Sequence, residues 1–138
     1  MKKILLFLVL MIASTSCSLD KDNHDTDTYT YSSLPIESYE LPDTFTLGET
    51  YEIKLKYQKP TACHLYQGIY YDKNLNTRTI AIQAAVKDNE QCTQEVPPLS
   101  EVSFNFVVSN TGSYIFKFYK GKVDGENVFE EVEIQVVE

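Results

Sequence analysis

The sequence predicts an all-β domain, an antiparallel sandwich of about seven short strands in two sheets, and three observations carry the prediction. From Leu34 to the C-terminus the apolar residues recur with a period of two, the pattern of strands buried on one face. Turn-forming pairs such as Pro42-Asp43, Leu47-Gly48, Lys59-Pro60, Pro97-Pro98 and Asp124-Gly125 interrupt that alternation at strand-length intervals. No window sustains the helical period.

The chain opens on Lys2 and Lys3, continues through an unbroken apolar run from Ile4 to Ala13, and passes the small residues Ser14, Thr15 and Ser16 to reach Cys17. An apolar run of about ten residues spans only ~15 Å as a helix, half a bilayer core, so residues 1–16 read as a secretion signal rather than a permanent anchor. Cleavage before Cys17 would free its backbone nitrogen and leave its thiol for acylation. Ser14-x-Ser16 also suits ordinary small-residue cleavage, which would leave that thiol unmodified. Ser14-Thr15-Ser16-Cys17 resembles the bacterial lipobox. The resemblance implies a lipoprotein carrying palmitate-type acyl groups at Cys17 and held by them in the outer membrane.

Residues 17–33 form the next segment, acidic and rich in Asp, Thr and Ser, with no apolar periodicity. It cannot bury enough apolar surface to offset the entropy of ordering and is expected to act as a flexible tether. Asp20, Asp22, Asp25 and Asp27 have the spacing of calcium ligands, but the turn glycine and closing Glu of a calcium loop are missing. Cys17-Ser18-Leu19-Asp20-Lys21-Asp22 is similar to the acidic signal that follows the acylated cysteine in surface lipoproteins of the Bacteroidota. That likeness favours the cell surface over the periplasmic face.

Residues 34–138 form one domain, long enough to bury its own core. Pro35 to Leu41 reads as an edge strand, since Pro removes a ladder donor. The alternating runs that follow are Tyr51 to Tyr57, Leu65 to Ile69, Ile80 to Val86, Val102 to Val108, Tyr114 to Phe118 and Val132 to Val136. At Asp124-Gly125 a two-residue turn would set Phe116 opposite Glu133. A three-residue loop, Val123-Asp124-Gly125, with Gly125 left-handed sets Phe116 opposite Val132 and Tyr114 opposite Ile134, which keeps core with core.

Asn110-Thr111-Gly112-Ser113-Tyr114-Ile115-Phe116 resembles the immunoglobulin-fold pattern Asp-x-Gly-x-Tyr-x-Cys. The resemblance implies an immunoglobulin-like sandwich in which the Tyr114 hydroxyl bonds back to the corner backbone. Phe116 occupies the place of the inter-sheet cysteine, so a disulfide has to lie elsewhere. With Cys17 acylated, Cys63 and Cys92 remain as an even pair in an oxidising compartment and are expected to bridge.

Composition narrows function by exclusion. The full chain carries a formal charge of -8, and losing Lys2 and Lys3 makes it -10, so nucleic acid is not an expected partner. The folded part offers one histidine, His64, which is too few for a hydrolytic triad or a zinc set. No phosphate loop or dinucleotide fingerprint occurs, and no cofactor or metal is expected. A non-catalytic binding or adhesion module is the leading expectation, with a glycan, peptide or envelope protein as partner. A structural accessory subunit of an envelope complex and a small protease inhibitor presenting Val96-Pro97-Pro98-Leu99 are the alternatives.

The expected ligand site lies on the hairpin from His64 to Val86. Pairing Leu65 with Ala84, Gln67 with Ile82 and Ile69 with Ile80 would put His64, Tyr66, Gly68 and Tyr70 on the outer face against Gln83, Ala81 and Thr79. Tyr66 and Tyr70 would then flank a slot at Gly68, with Thr79 and Gln83 as hydrogen-bonding groups, suited to a sugar ring or a peptide. An ordinary tyrosine-rich strand surface is the competing reading.

Overall fold

A computed structural model describes residues 27–88, 91–93 and 95–138. Cys17 and the signal, tether and calcium expectations for residues 1–26 lie outside the described residues. Nine strands occur among the described residues: β1 (Tyr29–Leu34), β2 (Ile36–Glu40), β3 (Thr44–Thr46), β4 (Thr50–Tyr57), β5 (Leu65–Asn74), β6 (Thr77–Lys87), β7 (Ser100–Val107), β8 (Ser113–Val123) and β9 (Glu126–Val137). They form two layers, a six-stranded sheet containing β1, β3, β5, β6, β8 and β9, and a three-stranded sheet in the order β2-β4-β7. The all-β sandwich is therefore present, with two strands beyond the expected seven or so.

The core lies between the layers. Ile53 and Leu55 of β4 meet Ile80 and Ile82 of β6 and Phe116 and Phe118 of β8, all fully buried. Phe45, Phe106, Tyr114 and Phe116 form an aromatic cluster with ring centroids about 5–6 Å apart, the separation at which tilted and edge-to-face pairs add to area burial. Truncating a core ring such as Phe116 to Ala is expected to cost ~3–5 kcal/mol.

The extra strands correct the sequence reading. Residues 29–33, expected within the tether 17–33, instead belong to β1, which pairs antiparallel with β6 from Tyr29 opposite Lys87 to Leu34 opposite Ile82. Only Leu34 of β1 is buried, so backbone pairing rather than apolar burial fixes the strand, and no hydrophobic period reveals it. Asp27, the calcium candidate among the described residues, is ion-paired to Lys87 at 2.7 Å. β3 is only three residues long and buries Phe45 alone, too short to show a period.

Not every ladder is antiparallel: β3 pairs with β9, and β6 with β8, in parallel. One edge of β6 runs along β5, while the other is shared, Thr77–Ile80 bonding to β8 and Ile82–Lys87 to β1. Ala81 sits where the partner changes. As expected of an edge, β2 pairs only with β4 among the described residues.

The β8–β9 register is the expected one, with Phe116 opposite Val132 and Tyr114 opposite Ile134. Its cause differs. The loop has two residues, Asp124 and Gly125, both at positive φ (52° and 85°) as a type I′ hairpin requires. The extra residue is Lys120, bulged between Tyr119 and Gly121, and its ammonium reaches the Ile36 carbonyl at 2.7 Å and Glu130 at 3.3 Å. The Tyr114 hydroxyl accepts the backbone N–H groups of Ser109 and Asn110 at 3.1 and 3.0 Å, the corner bond that the sequence motif implied.

Candidate functional site

β5 follows a turn in which the His64 N–H donates to the Thr61 carbonyl, and Cys63 in that turn is disulfide-bonded to Cys92. The bridge ties the start of β5 to the segment after β6, closing the open end of their hairpin as expected. From Tyr70 opposite Ala81 to Asn74 opposite Thr77 the pairing is regular around a two-residue loop, Leu75-Asn76. Gln67 is then bulged between Tyr66 opposite Ala84 and Gly68 opposite Gln83.

That bulge separates the two tyrosines expected side by side. Tyr66 turns to the inner layer and lies tilted against Tyr57, centroids 6.1 Å apart. Ile69 and Tyr71 share its side; Ile69 packs on the core and Tyr71 meets Phe104 edge-on at 5.7 Å. Tyr70 and Gln67 face outward. The expected pairings of Leu65 with Ala84, Gln67 with Ile82 and Ile69 with Ile80 are replaced by Leu65 with Ala85 and Ile69 with Ile82. Gly68 therefore stands opposite Gln83 and forms no slot with Ala81. His64 stays in the preceding turn, its Nδ1 3.0 Å from the Thr61 hydroxyl, away from the outer face.

A concavity does exist on the outer face, of about 860 Å³, and Tyr70, Thr79 and Gln83 line it together. It forms on the face of β6 where that strand changes partner at Ala81, with β5 along one edge and β1 and the bulged end of β8, followed by β9, along the other. Ala81 and Tyr119, 5% and 7% exposed, line its base, and Tyr119 packs against Phe129 of β9 at 5.8 Å. Tyr31 of β1 and Tyr70 of β5 stand at its sides, 71% and 45% exposed. Polar groups ring this apolar base: Ser33 opposite Gln83 across the β1–β6 ladder, Gln67 on the β5 bulge, and Lys122 opposite Asn127 across β8–β9. None of the described lining residues is Asp or Glu.

Sequence alone does not bring Tyr31, Tyr119, Phe129 and Asn127 to this site, because they come from three other strands. The signal present was Tyr29-x-Tyr31, an alternating aromatic pair of high strand propensity inside a segment read as tether. Gly68 inside a strand was the signal of the bulge.

The groups gathered on this surface are apolar rings, amides and hydroxyls. Its aromatic rings offer flat apolar faces, and its amides and hydroxyls donate and accept hydrogen bonds. No group of three or more His, Cys, Asp or Glu side chains that could hold a metal occurs among the described residues. The Pro97-Pro98 loop lies elsewhere, held to the end of β4 by the Gln58 side-chain amide, which donates to the Pro97 carbonyl. Comparison with protein-family models, with curated proteins and with solved structures yields no match.

Proposed function

We propose that this chain is a non-catalytic, envelope-anchored binding module that takes a neutral sugar ring on the outer face of its larger sheet. The observation that carries the reading is an acid-free concavity with aromatic rings at its base and sides, on a chain whose formal charge is -8. A polyol presents C–H faces that stack on aromatic rings and hydroxyls that pair with amides, and it needs no counter-charge. Tyr70, Thr79 and Gln83 supply part of that chemistry; Tyr31, Gln67 and Asn127 extend it. Anchoring through acylated Cys17 would hold the module at the outer membrane, where glycans are met. The immunoglobulin-like kinship suggested by the Tyr114 corner belongs to the same proposal, and the parallel β6–β8 pairing is a departure from that pattern.

The test is retention on a glycan array by the parent and by the double variant Tyr31→Ala, Tyr70→Ala. Both rings are exposed, so the melting temperature should barely move while retention of every neutral glycan held by the parent is lost. Parent-like retention by the variant would refute the site. Parent protein that holds no glycan would return preference to a structural accessory role.

The inhibitor alternative draws on one observation, the exposed Val96 and Leu99 flanking a Pro-Pro segment anchored by Gln58. Undiminished activity of a panel of serine and cysteine proteases in the presence of the protein would remove it.

A further inference from the structure

A second concavity, of about 640 Å³, opens on the opposite side of β6, at the flank of the sandwich between edge strands β5 and β7. Ile69, Tyr71 and Phe104 contribute apolar and aromatic wall, and Lys73, Ser109 and Arg78 the polar part. Arg78 is 3% exposed, the buried charged residue among the described ones. Its Nη1 donates to the carbonyls of Leu75 and Thr77, both at 2.8 Å, and its guanidinium lies 4.9 Å from the Tyr114 ring centre. Its buried Nε has no hydrogen-bond partner. None of the ion pairs among the described residues involves Arg78.

A guanidinium taken out of water without a counter-charge is costly, and two neutral carbonyls, the Tyr71 hydroxyl and ring faces offset only part of that cost. Arginine is also the side chain whose planar fork matches a carboxylate. Here the fork borders an open cavity whose described lining holds two cations, Arg78 and Lys73, and no acid, in a chain where acids outnumber Lys and Arg by 20 to 12. The geometry points to a ligand site for a carboxylate carried on an apolar or ring-shaped body, with the acid group at Arg78 and the body against Tyr71 and Phe104. This inference uses a different cavity and different residues from the sugar surface, so it stands or falls separately.

The test follows the Arg78 Nε–H and the backbone amides of Tyr71 and Ser109 by nuclear magnetic resonance in the unmodified protein, titrated with phenylacetate, phenylacetamide, glucuronate and glucose. At least one of the two acids should give saturable shifts at these positions, and the neutral counterparts should give none. Phenylacetate alone responding identifies an aromatic acid as the preferred source, and glucuronate alone an acidic sugar. Arg78→Lys keeps the charge but loses the fork, and should weaken the responding acid about tenfold or more. Equal shifts from an acid and its neutral counterpart, silence from both acids, or undiminished affinity in Arg78→Lys would each overturn the proposal.

Discussion

At the scale of single residues, two tyrosines hold the chain through opposite hydrogen-bonding roles, one locally and one across the sequence. Tyr114 accepts two backbone N–H groups at the corner before β8. Burial pushes its phenol up, but the Ser109 and Asn110 donors and the Arg78 charge outweigh that and hold it below the usual value. Tyr114→Phe leaves those two donors unsatisfied and should cost ~1–3 kcal/mol in chemical denaturation; an unchanged denaturation midpoint would show that the corner bonds contribute nothing. Tyr39 instead donates, to Glu130 at 2.7 Å, while its ring stacks on Phe118. Burial first, then the hydrogen bond and charge of Glu130, raise its pKa from 10.0 to about 12. The folded state therefore keeps a proton that the unfolded state releases. That contribution to stability is full below pH 10 and is lost as pH rises from 10 to about 12. Spectroscopic titration of the phenols should lose its component near pH 12 in Tyr39→Phe; a parent-like curve would contradict the assignment. Tyr114 was legible in the sequence because a local motif surrounds it. Tyr39 was not, since its partner lies 91 residues away.

At the scale of elements, the two bulges decide where side chains point. Each sits beside a glycine within a strand, Gly68 in β5 and Gly121 in β8. Sequence periodicity found both hairpins, because alternation survives on either side of a bulge. It misplaced the extra residue in β8–β9, assigning it to the turn, and had no extra residue in β5–β6, which put Tyr66 on the wrong face. An in-strand glycine was the available cue. Gly121 has a φ of 108°, and an added Cβ would meet the Pro35 side chain at an ordinary 3.6 Å, so the penalty of Gly121→Ala is backbone strain rather than a clash. A loss of ~1–3 kcal/mol is expected by denaturation, and a neutral result would mean that the bulge relaxes freely. The Cys63–Cys92 bridge, 29 residues apart, was legible from the cysteine count. By the chain-entropy estimate it contributes ~3–4 kcal/mol. Replacing both cysteines by serine should lower stability by that order, and a change under ~1 kcal/mol would refute the role given to it.

At the scale of the molecule, the fold class was legible and the site only in part. Period-two alternation in six segments, with one edge strand before them, suffices for a two-layer β architecture, whereas a concave face assembled from five strands depends on which strands become neighbours. Tyr70, Thr79 and Gln83 were found because one hairpin brings them together; Tyr31 and Phe129 depend on β1 and β9 converging around β6 and β8. Anchoring is tested apart from binding: Cys17→Ala should release the protein from the membrane fraction, and a variant that still partitions into detergent would exclude the acyl anchor. The central proposal is that a sugar sits on the outer face of the larger sheet. Mapping backbone amide shifts of the unmodified protein on titration with the neutral glycan that it retains best on an array tests that claim directly. Saturable shifts are expected to centre on Tyr70, Ala81, Gln83 and Tyr119, with Ile53 and Leu55 in the smaller sheet unmoved; shifts centred on the smaller sheet or on the Pro97-Pro98 loop would contradict the proposed site.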